Sequence, residues 1–282
     1  MPRSYDLHSH STASDGTLPP RALIERAHVA GVDVLALTDH DSTEGVSEAA
    51  RAAAELGLTL IPGVEISVTW RSGVVHVLGL GVDQADLTLQ AGLATLREQR
   101  DWRAEEMGRR LEKHGIDGAF EGAMALSNGR LISRTHFARF LVGRGEADSV
   151  GGVFKRFLKP GKPGYVNGEW AALGDAVSWI ISAGGQAVIA HPARYKLTHS
   201  RLRELLGEFR DLGGAGLEVV SGSHSRDDAL RMARYARDFG LRASSGSDYH
   251  GPEQPWIELG HLPALPDGCT PIWQDWPISA PA

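Results

Sequence analysis

The sequence predicts an α/β fold: a distorted, TIM-like (β/α)7 barrel carrying a mainly helical insertion. Three observations predict it. Short apolar runs alternate with helical patterns through residues 1–83 and again through 171–282, as in parallel βα units. Several of those runs are almost continuously apolar, as expected of strands covered on both faces. Between residues 84 and 170 the alternation stops and no strand pattern is visible. Seven candidate strands fit an incomplete or distorted barrel better than the standard eight-stranded one.

The strands in order are YDLH (5–8), DVLALT (33–38), TLIPGVEIS (59–67), VVHVLGL (74–80), AVIAH (187–191), GLEVV (216–220) and LRASS (241–245). Helical stretches between them include PPRALIERAHVAG, STEGVSEAARAAAELG and DDALRMARYARDFG. Each ends near a glycine, a suitable stop just past a helix. The insertion begins with LTLQAGLATLREQRDWRAEEMGRRLEKHG, a long helix. SRTHFARFLVGRG and SVGGVFKRFL follow as two shorter helices, and KPGKPGYV as a loop. The chain thus divides into a barrel of residues 1–83 and 171–282 and a helical cap of 84–170. The tail from 252 onward is rich in Pro and Trp and reads as irregular.

Composition narrows the function. The chain has 282 residues, is 42% hydrophobic and 23% charged, and carries a net charge of −6. That suits a globular protein with a well-filled core. It does not suit a general nucleic-acid-binding surface, so any phosphate must meet a local basic patch. A single cysteine, Cys269, excludes a disulfide framework and a thiolate metal site. Metal ligands would have to be His, Asp and Glu. No apolar run is long enough to span a membrane and no secretory h-region is present, which leads to the expectation of a cytoplasmic protein. No obligate protein partner is implied.

Ionisable residues gather where strands end. The first strand delivers His8 and His10, then Asp15; residues i and i+2 of a strand share a face. The second ends in Asp39, His40 and Asp41. The third carries Glu65, the fourth His76, and the fifth ends in His191. The seventh ends in Asp248 and His250. The C-terminal strand ends of a parallel barrel share one face, and that face hosts the chemistry. A lone histidine on an apolar strand is usually a hydrogen-bonded core residue, but nine such groups delivered to one face are not explained that way. One ion takes roughly four to six ligands in such sites. Nine candidates therefore imply two or three divalent ions sharing carboxylates, with zinc, manganese and iron(II) all compatible. Asp39 is expected to orient a ligand imidazole. Asp41 reads equally well as a helix N-cap.

HSHSTASDG, LTDHDS, PGVEIS, the histidine of HVLGLG, IAHPAR and SGSDYH resemble, in order, the motifs of the PHP (polymerase and histidinol phosphatase) superfamily. RTHFAR and KPGKPGYV in the insertion add to the likeness. The resemblance extends over most of the chain and is strongest to the stand-alone phosphoesterases of the 3′,5′-nucleoside bisphosphate phosphatase kind, some relatives being 5′→3′ exoribonucleases on short RNA. It implies a distorted seven-stranded barrel and a trinuclear, usually manganese-active centre. All nine residues (His8, His10, Asp15, His40, Glu65, His76, His191, Asp248 and His250) fall on the family's metal positions.

The chemistry so implied is hydrolysis of a phosphate ester, with the 3′-phosphate of a 3′,5′-bisphosphonucleotide as the expected leaving phosphate. The rival readings are a 5′→3′ exoribonuclease on short 5′-phosphorylated RNA and a histidinol phosphate phosphatase. Glu65 is the candidate bridging carboxylate; His191 and His250 are expected near the reacting oxygens. A second phosphate needs further cations. Arg134 and Arg194 suit phosphate oxygens best, because the guanidinium fork matches them. Lys159 and Lys162 are further candidates. Ser133, Thr135 and His136 could add hydrogen bonds, and His224 could reach the phosphate from the end of the sixth strand.

Overall fold

A computed structural model describes residues 3–127 and 130–277. Seven strands lie along one path: β1 (Tyr5–Asp6), β2 (Val34–Leu37), β3 (Thr59–Trp70), β4 (Gly73–Leu80), β6 (Gln186–Ile189), β7 (Gly216–Ser221) and β8 (Arg242–Gly246). They coincide with the seven strands expected. An additional two-residue strand, β5 (Ala171–Ala172), pairs with β3 off that path. The sheet curls until β8 returns beside β1, where the Leu7 N–H donates to the Ser245 carbonyl (2.9 Å) and the Asp248 N–H to the His8 carbonyl (2.9 Å). The result is a nearly closed barrel.

One expectation fails. β4 is not parallel to its neighbours: it runs antiparallel to β3 and to β6. The reason is local. Only Arg71 and Ser72 separate β3 from β4, and Arg71 takes a left-handed φ of 53°. A two-residue connection makes a hairpin; a parallel neighbour needs a crossover of a dozen or more residues.

The helices follow their apolar stripes. In α2 (Val46–Leu56) the buried residues Val46, Ala49, Ala52 and Ala53 form one face, spaced as an amphipathic helix requires. With α1 (Pro20–Val29) it covers the outside of β2. Gly57 stops α2 in the left-handed conformation. Beyond the hairpin come α3 (Leu87–Lys113), α4 (Ala119–Leu126), α5 (Arg134–Gly143) and α6 (Val150–Val153). The stretch SVGGVFKRFL is not one regular helix, because α6 passes into a wider π turn over Phe154–Leu158. Then α7 (Leu173–Ser182), α8 (His199–Asp211) and α9 (Arg226–Phe239) pack against the outside of β3, β4, β6 and β7. Residues 252–277 form no named helix or strand. They are tied down all the same: Ile272 is fully buried, and Trp273 stacks on Tyr5 at 4.3 Å between ring centroids.

Apolar side chains fill the barrel interior, including Leu7, Val34, Ala36, Leu78, Leu80 and Val188. The insertion has a core of its own, built from residues 104–166 and centred on Met107, Leu111, Phe137, Leu141 and Phe157. The buried face of α3 is shared between this core and the barrel. Leu89, Leu93 and Leu96 of α3 belong to the barrel's outer core, whereas Ala104, Met107 and Leu111 belong to the insertion. One helix therefore ties the two cores together.

Candidate metal centre

The site is built from the strand ends inward. His8 and His10 follow β1 and are both fully buried. Their Nε2 atoms lie 3.1 Å apart. The chain then turns sharply, with the Ser14 and Gly16 N–H groups donating to the Ser11 carbonyl. Only glycine fits at position 16, since a Cβ there would come within 2.4 Å of the His10 carbonyl oxygen. Asp39 fixes this turn. It accepts from the Ser11 N–H (2.8 Å), the Ser11 hydroxyl (2.7 Å) and the Ser14 hydroxyl (2.6 Å). It holds a loop rather than the imidazole it was expected to orient. Asp41 is no N-cap either, because α2 starts only at Val46. Its carboxylate accepts from the Ser67 N–H (2.7 Å) and from Arg100 Nε (2.6 Å).

Glu65, fully buried on β3, is the hub. One carboxylate oxygen, Oε1, lies 2.8 Å from His76 Nδ1 and 3.0 Å from His191 Nε2. The other, Oε2, lies 3.0 Å from His40 Nδ1, 3.4 Å from His8 Nε2 and 3.3 Å from His10 Nε2. Asp248 Oδ1 is 3.4 Å from His8 Nε2 and 3.3 Å from His10 Nε2. Asp15 Oδ1 lies 3.3 Å from His250 Nε2. Its Oδ2 accepts from the Ser133 hydroxyl (3.0 Å) and the Thr135 hydroxyl (2.9 Å) at the start of α5. The structure thus brings all nine expected residues together. Their donor atoms form three overlapping groups: His10, Asp15, His40 and His250; His8, Glu65, His191 and Asp248; and His40, Glu65 and His76.

These residues fit divalent cations on two counts. Buried His10 Nδ1, Asp15 Oδ1, His40 Nδ1 and Glu65 Oε2 have no hydrogen-bond partner. His40 Nδ1 and Glu65 Oε2 are only 3.0 Å apart, yet not aligned to share a proton. Buried ions left uncompensated cost several kcal/mol each, so three buried carboxylates packed among imidazoles call for cations. The donors are nitrogen and oxygen only, as zinc, manganese and iron accept.

The electrostatics agree with ligand roles. Burial alone would raise the Glu65 carboxyl, but His40, His76 and His8 overcome it and hold the pKa well below the usual carboxylate range. Asp15 and Asp248 are lowered in the same way, against their burial, chiefly by His250 and His8 respectively. Burial pushes His10 down to about 3 and His76 down to about 4; both present neutral imidazoles. His250 is raised to about 9, because Asp15 outweighs its burial. His8 is raised well above the ordinary imidazole value, its burial overcome by Glu65, Glu218 and Asp248. Both shifts favour the protonated imidazole in the absence of a cation, and a ligand must give its proton up. Cation uptake is expected to release protons. The check is calorimetric: the apparent binding heat should vary with the ionisation enthalpy of the buffer.

The cluster forms the floor of a cavity of ≈ 200 Å³. Arg194 lines it from the barrel side, its Nη1 2.5 Å from Asp248 Oδ2. The opposite wall comes from the insertion and includes Arg100, Arg103, Arg134, Tyr165 and Trp170.

A profile of the PHP domain matches residues 6–184. The chain belongs to the PHP domain family. This PHP protein is 51% identical over 273 residues to a 3′,5′-nucleoside bisphosphate phosphatase of Chromobacterium violaceum, covering 96% of each chain. It is 44% identical over 274 residues to a 5′-3′ exoribonuclease of Haemophilus influenzae, covering 97% of this chain and 99% of the relative. A Bifidobacterium adolescentis crystal structure assigned as a metal-dependent phosphoesterase superposes with a TM-score of 0.81 at 28% identity, covering 96% of this chain and 93% of that one.

Not every expected residue of this PHP domain reaches the pocket. Lys159 and Lys162 are exposed and absent from its lining; the loop that follows the π turn carries them outward. His136 is buried on the first turn of α5, where its Nδ1 accepts from the Ser133 N–H (3.0 Å) and completes a helix cap. His224 faces a different cavity and pairs with the Val219 carbonyl (3.1 Å). Conversely, sequence reasoning missed Arg100, Arg103 and Glu218. A signal existed for the arginines. The buried stripe of α3 runs Leu89, Leu93, Leu96, Arg100, Arg103, Met107, Leu111, so two charges occupy apolar positions. Among the described residues, no helix is long and apolar enough to cross a membrane.

Proposed function

We propose that this chain hydrolyses nucleotide phosphate esters, removing the 3′-phosphate of 3′,5′-bisphosphonucleotides to leave the 5′-mononucleotide. The observation that carries the proposal is the presence in one cavity of three ligand groups and of two guanidiniums, Arg103 and Arg134, that have no carboxylate partner among the described residues. Two or three divalent ions would be held by the nine residues, manganese first, with zinc or iron(II) also compatible. When bound, such ions would neutralise phosphate charge and lower the pKa of water towards neutrality, supplying the nucleophile for hydrolysis.

The chain's own groups do the rest. Glu65 has each carboxylate oxygen among a different set of imidazoles, so one side chain would serve two of the ligand groups. His191 and His250 face the same floor and would stand next to the reacting oxygens. Arg194, against Asp248, would meet the phosphate being cleaved. Across the cavity, Arg103 and Arg134 have no carboxylate ion-pair partner among the described residues. Burial lowers Arg134 and pushes Arg103 down to about 9, Arg134 adding to the effect. Two desolvated guanidiniums without a counter-charge form a receptor for a second phosphate. Ser133 and Thr135 would hold Asp15 in place rather than touch substrate. Residues 84–170 would act as the cap that brings this second site. A nucleotide substrate and a single free cysteine go with a cytoplasmic setting.

Arg134→Ala is expected to raise KM for a 3′,5′-bisphosphonucleotide at least tenfold and to alter KM for a simple phosphate monoester far less. Steady-state kinetics with both substrates check this, and equal effects remove Arg134 from the second-phosphate role. Likeness to the Haemophilus influenzae exoribonuclease supports a second reading, action on short 5′-phosphorylated RNA. Comparing initial rates on a bisphosphonucleotide, a mononucleotide and a 5′-phosphorylated oligoribonucleotide separates the two. A preference for the oligonucleotide overturns the first.

A further inference from the structure

A carboxylate that no motif carries stands behind the metal centre. Glu218, on β7, is fully buried between Leu217 and Val219. Its Oε1 lies 3.1 Å from His8 Nδ1, and its Oε2 accepts from the His191 N–H at 2.5 Å. His8 and His191 come from strand ends far apart in sequence, and one side chain touches both. The surrounding backbone is shaped for this. The β7–β8 register shifts between Glu218 and Val220, an irregularity of the kind that re-aims a side chain. On β8, a Cβ at Gly246 would come within 2.3 Å of His8 Cβ and 2.9 Å of Glu218 Oε1; only glycine leaves room for the two to meet. His191 adopts a left-handed φ of 28°, which for a non-glycine residue costs of order 1–3 kcal/mol and persists only when its surroundings hold it.

We propose that Glu218 is a positioning residue of the metal centre, fixing the tautomer of His8 and the backbone of His191 with one carboxylate. The inference rests on the metal-centre reading above. A carboxylate accepts and does not donate, so His8 must carry a hydrogen on Nδ1. Its Nε2 lone pair is then left facing Glu65, Asp248 and the cation they share. The second oxygen holds the strained His191 turn, which aims the His191 ring at Glu65. Partners of this kind typically contribute 10–100-fold to metal affinity.

Glu218→Gln separates the two duties. An amide has one acceptor and one donor end. With its oxygen on the His191 N–H, its NH2 faces His8 Nδ1 and forces the hydrogen of His8 onto Nε2, the atom meant for the cation. With the amide reversed, two donors meet at His191.

Wild type and Glu218→Gln are stripped with a chelator and titrated with manganese. Imidazole nitrogen NMR is recorded on the zinc-loaded forms. The expected result is weaker binding of at least one ion by roughly 10–100-fold in Glu218→Gln, with His8 protonated on Nδ1 in wild type and not in the variant. Equal affinities in the two proteins, or wild-type His8 protonated on Nε2, overturn the proposal. Should Glu218→Gln fail to fold, the wild-type spectrum alone decides. A wild type that binds no cation overturns the metal reading itself, a failure distinguishable from an unaltered variant.

Discussion

Glu65→Gln is expected to lower kcat/KM by roughly a thousandfold or more, about 4 kcal/mol of transition-state stabilisation at 1.36 kcal/mol per decade. The substitution keeps size and shape and removes one charge. The Glu65 oxygens lie near five of the imidazoles, His8, His10, His40, His76 and His191. A neutral amide would present one oxygen and one N–H donor to that set, and a donor repels a cation. Two of the three ligand groups contain Glu65, so the variant should also retain fewer ions than wild type. The measurement pairs kinetics with metal analysis and circular dichroism. A folded, fully metallated and active Glu65→Gln enzyme contradicts the bridging role.

The second large effect is on stability. Arg100→Met should destabilise the fold by about 3–5 kcal/mol, the typical cost of removing one partner of a buried ion pair. Asp41 is fully buried and the Arg100 side chain only 7% exposed, so Asp41 would be left as an uncompensated charge. Arg100 also donates to the Ser67 hydroxyl (2.8 Å) and lies over the Trp170 ring at 5.0 Å, so the insertion helix and the barrel loosen together. Asp41 follows the ligand His40 and holds a left-handed φ of 46°; losing its partner should disturb that ligand too. Urea unfolding checks the magnitude. The double variant Arg100→Met, Asp41→Asn should recover much of the loss, because it no longer buries a bare charge. A single variant as stable as wild type contradicts this account of how α3 is anchored.

What was legible in the sequence follows a physical pattern. The floor of the site could be read because strand periodicity fixes where side chains point. His8 and His10 share a face by spacing alone, and barrel strands deliver their ends to one rim. The seven strands were legible as apolar runs. The reversal of β4 was not, because it depends on a two-residue turn whose Arg71 must enter a left-handed conformation. Asp39 and Asp41 could be placed near the site but not assigned, since their partners Ser11, Ser14, Ser67 and Arg100 meet them only through tertiary packing. The cap was hardest. Lys159 and Lys162 read as phosphate ligands because they are basic and near glycines, yet nothing in a loop's composition fixes its direction. Arg100 and Arg103 lie on the buried stripe of α3, and their partners, Asp41 and the Val166 carbonyl, meet them only through packing.

The central claim is that this fold encloses several divalent cations, and direct metal analysis tests it. Protein purified without chelator, supplied with manganese and passed through a desalting column should retain between two and three ions per chain by plasma emission spectrometry, and lose activity when they are removed. Retention of fewer than two ions per chain, or full activity after removal, would contradict the account.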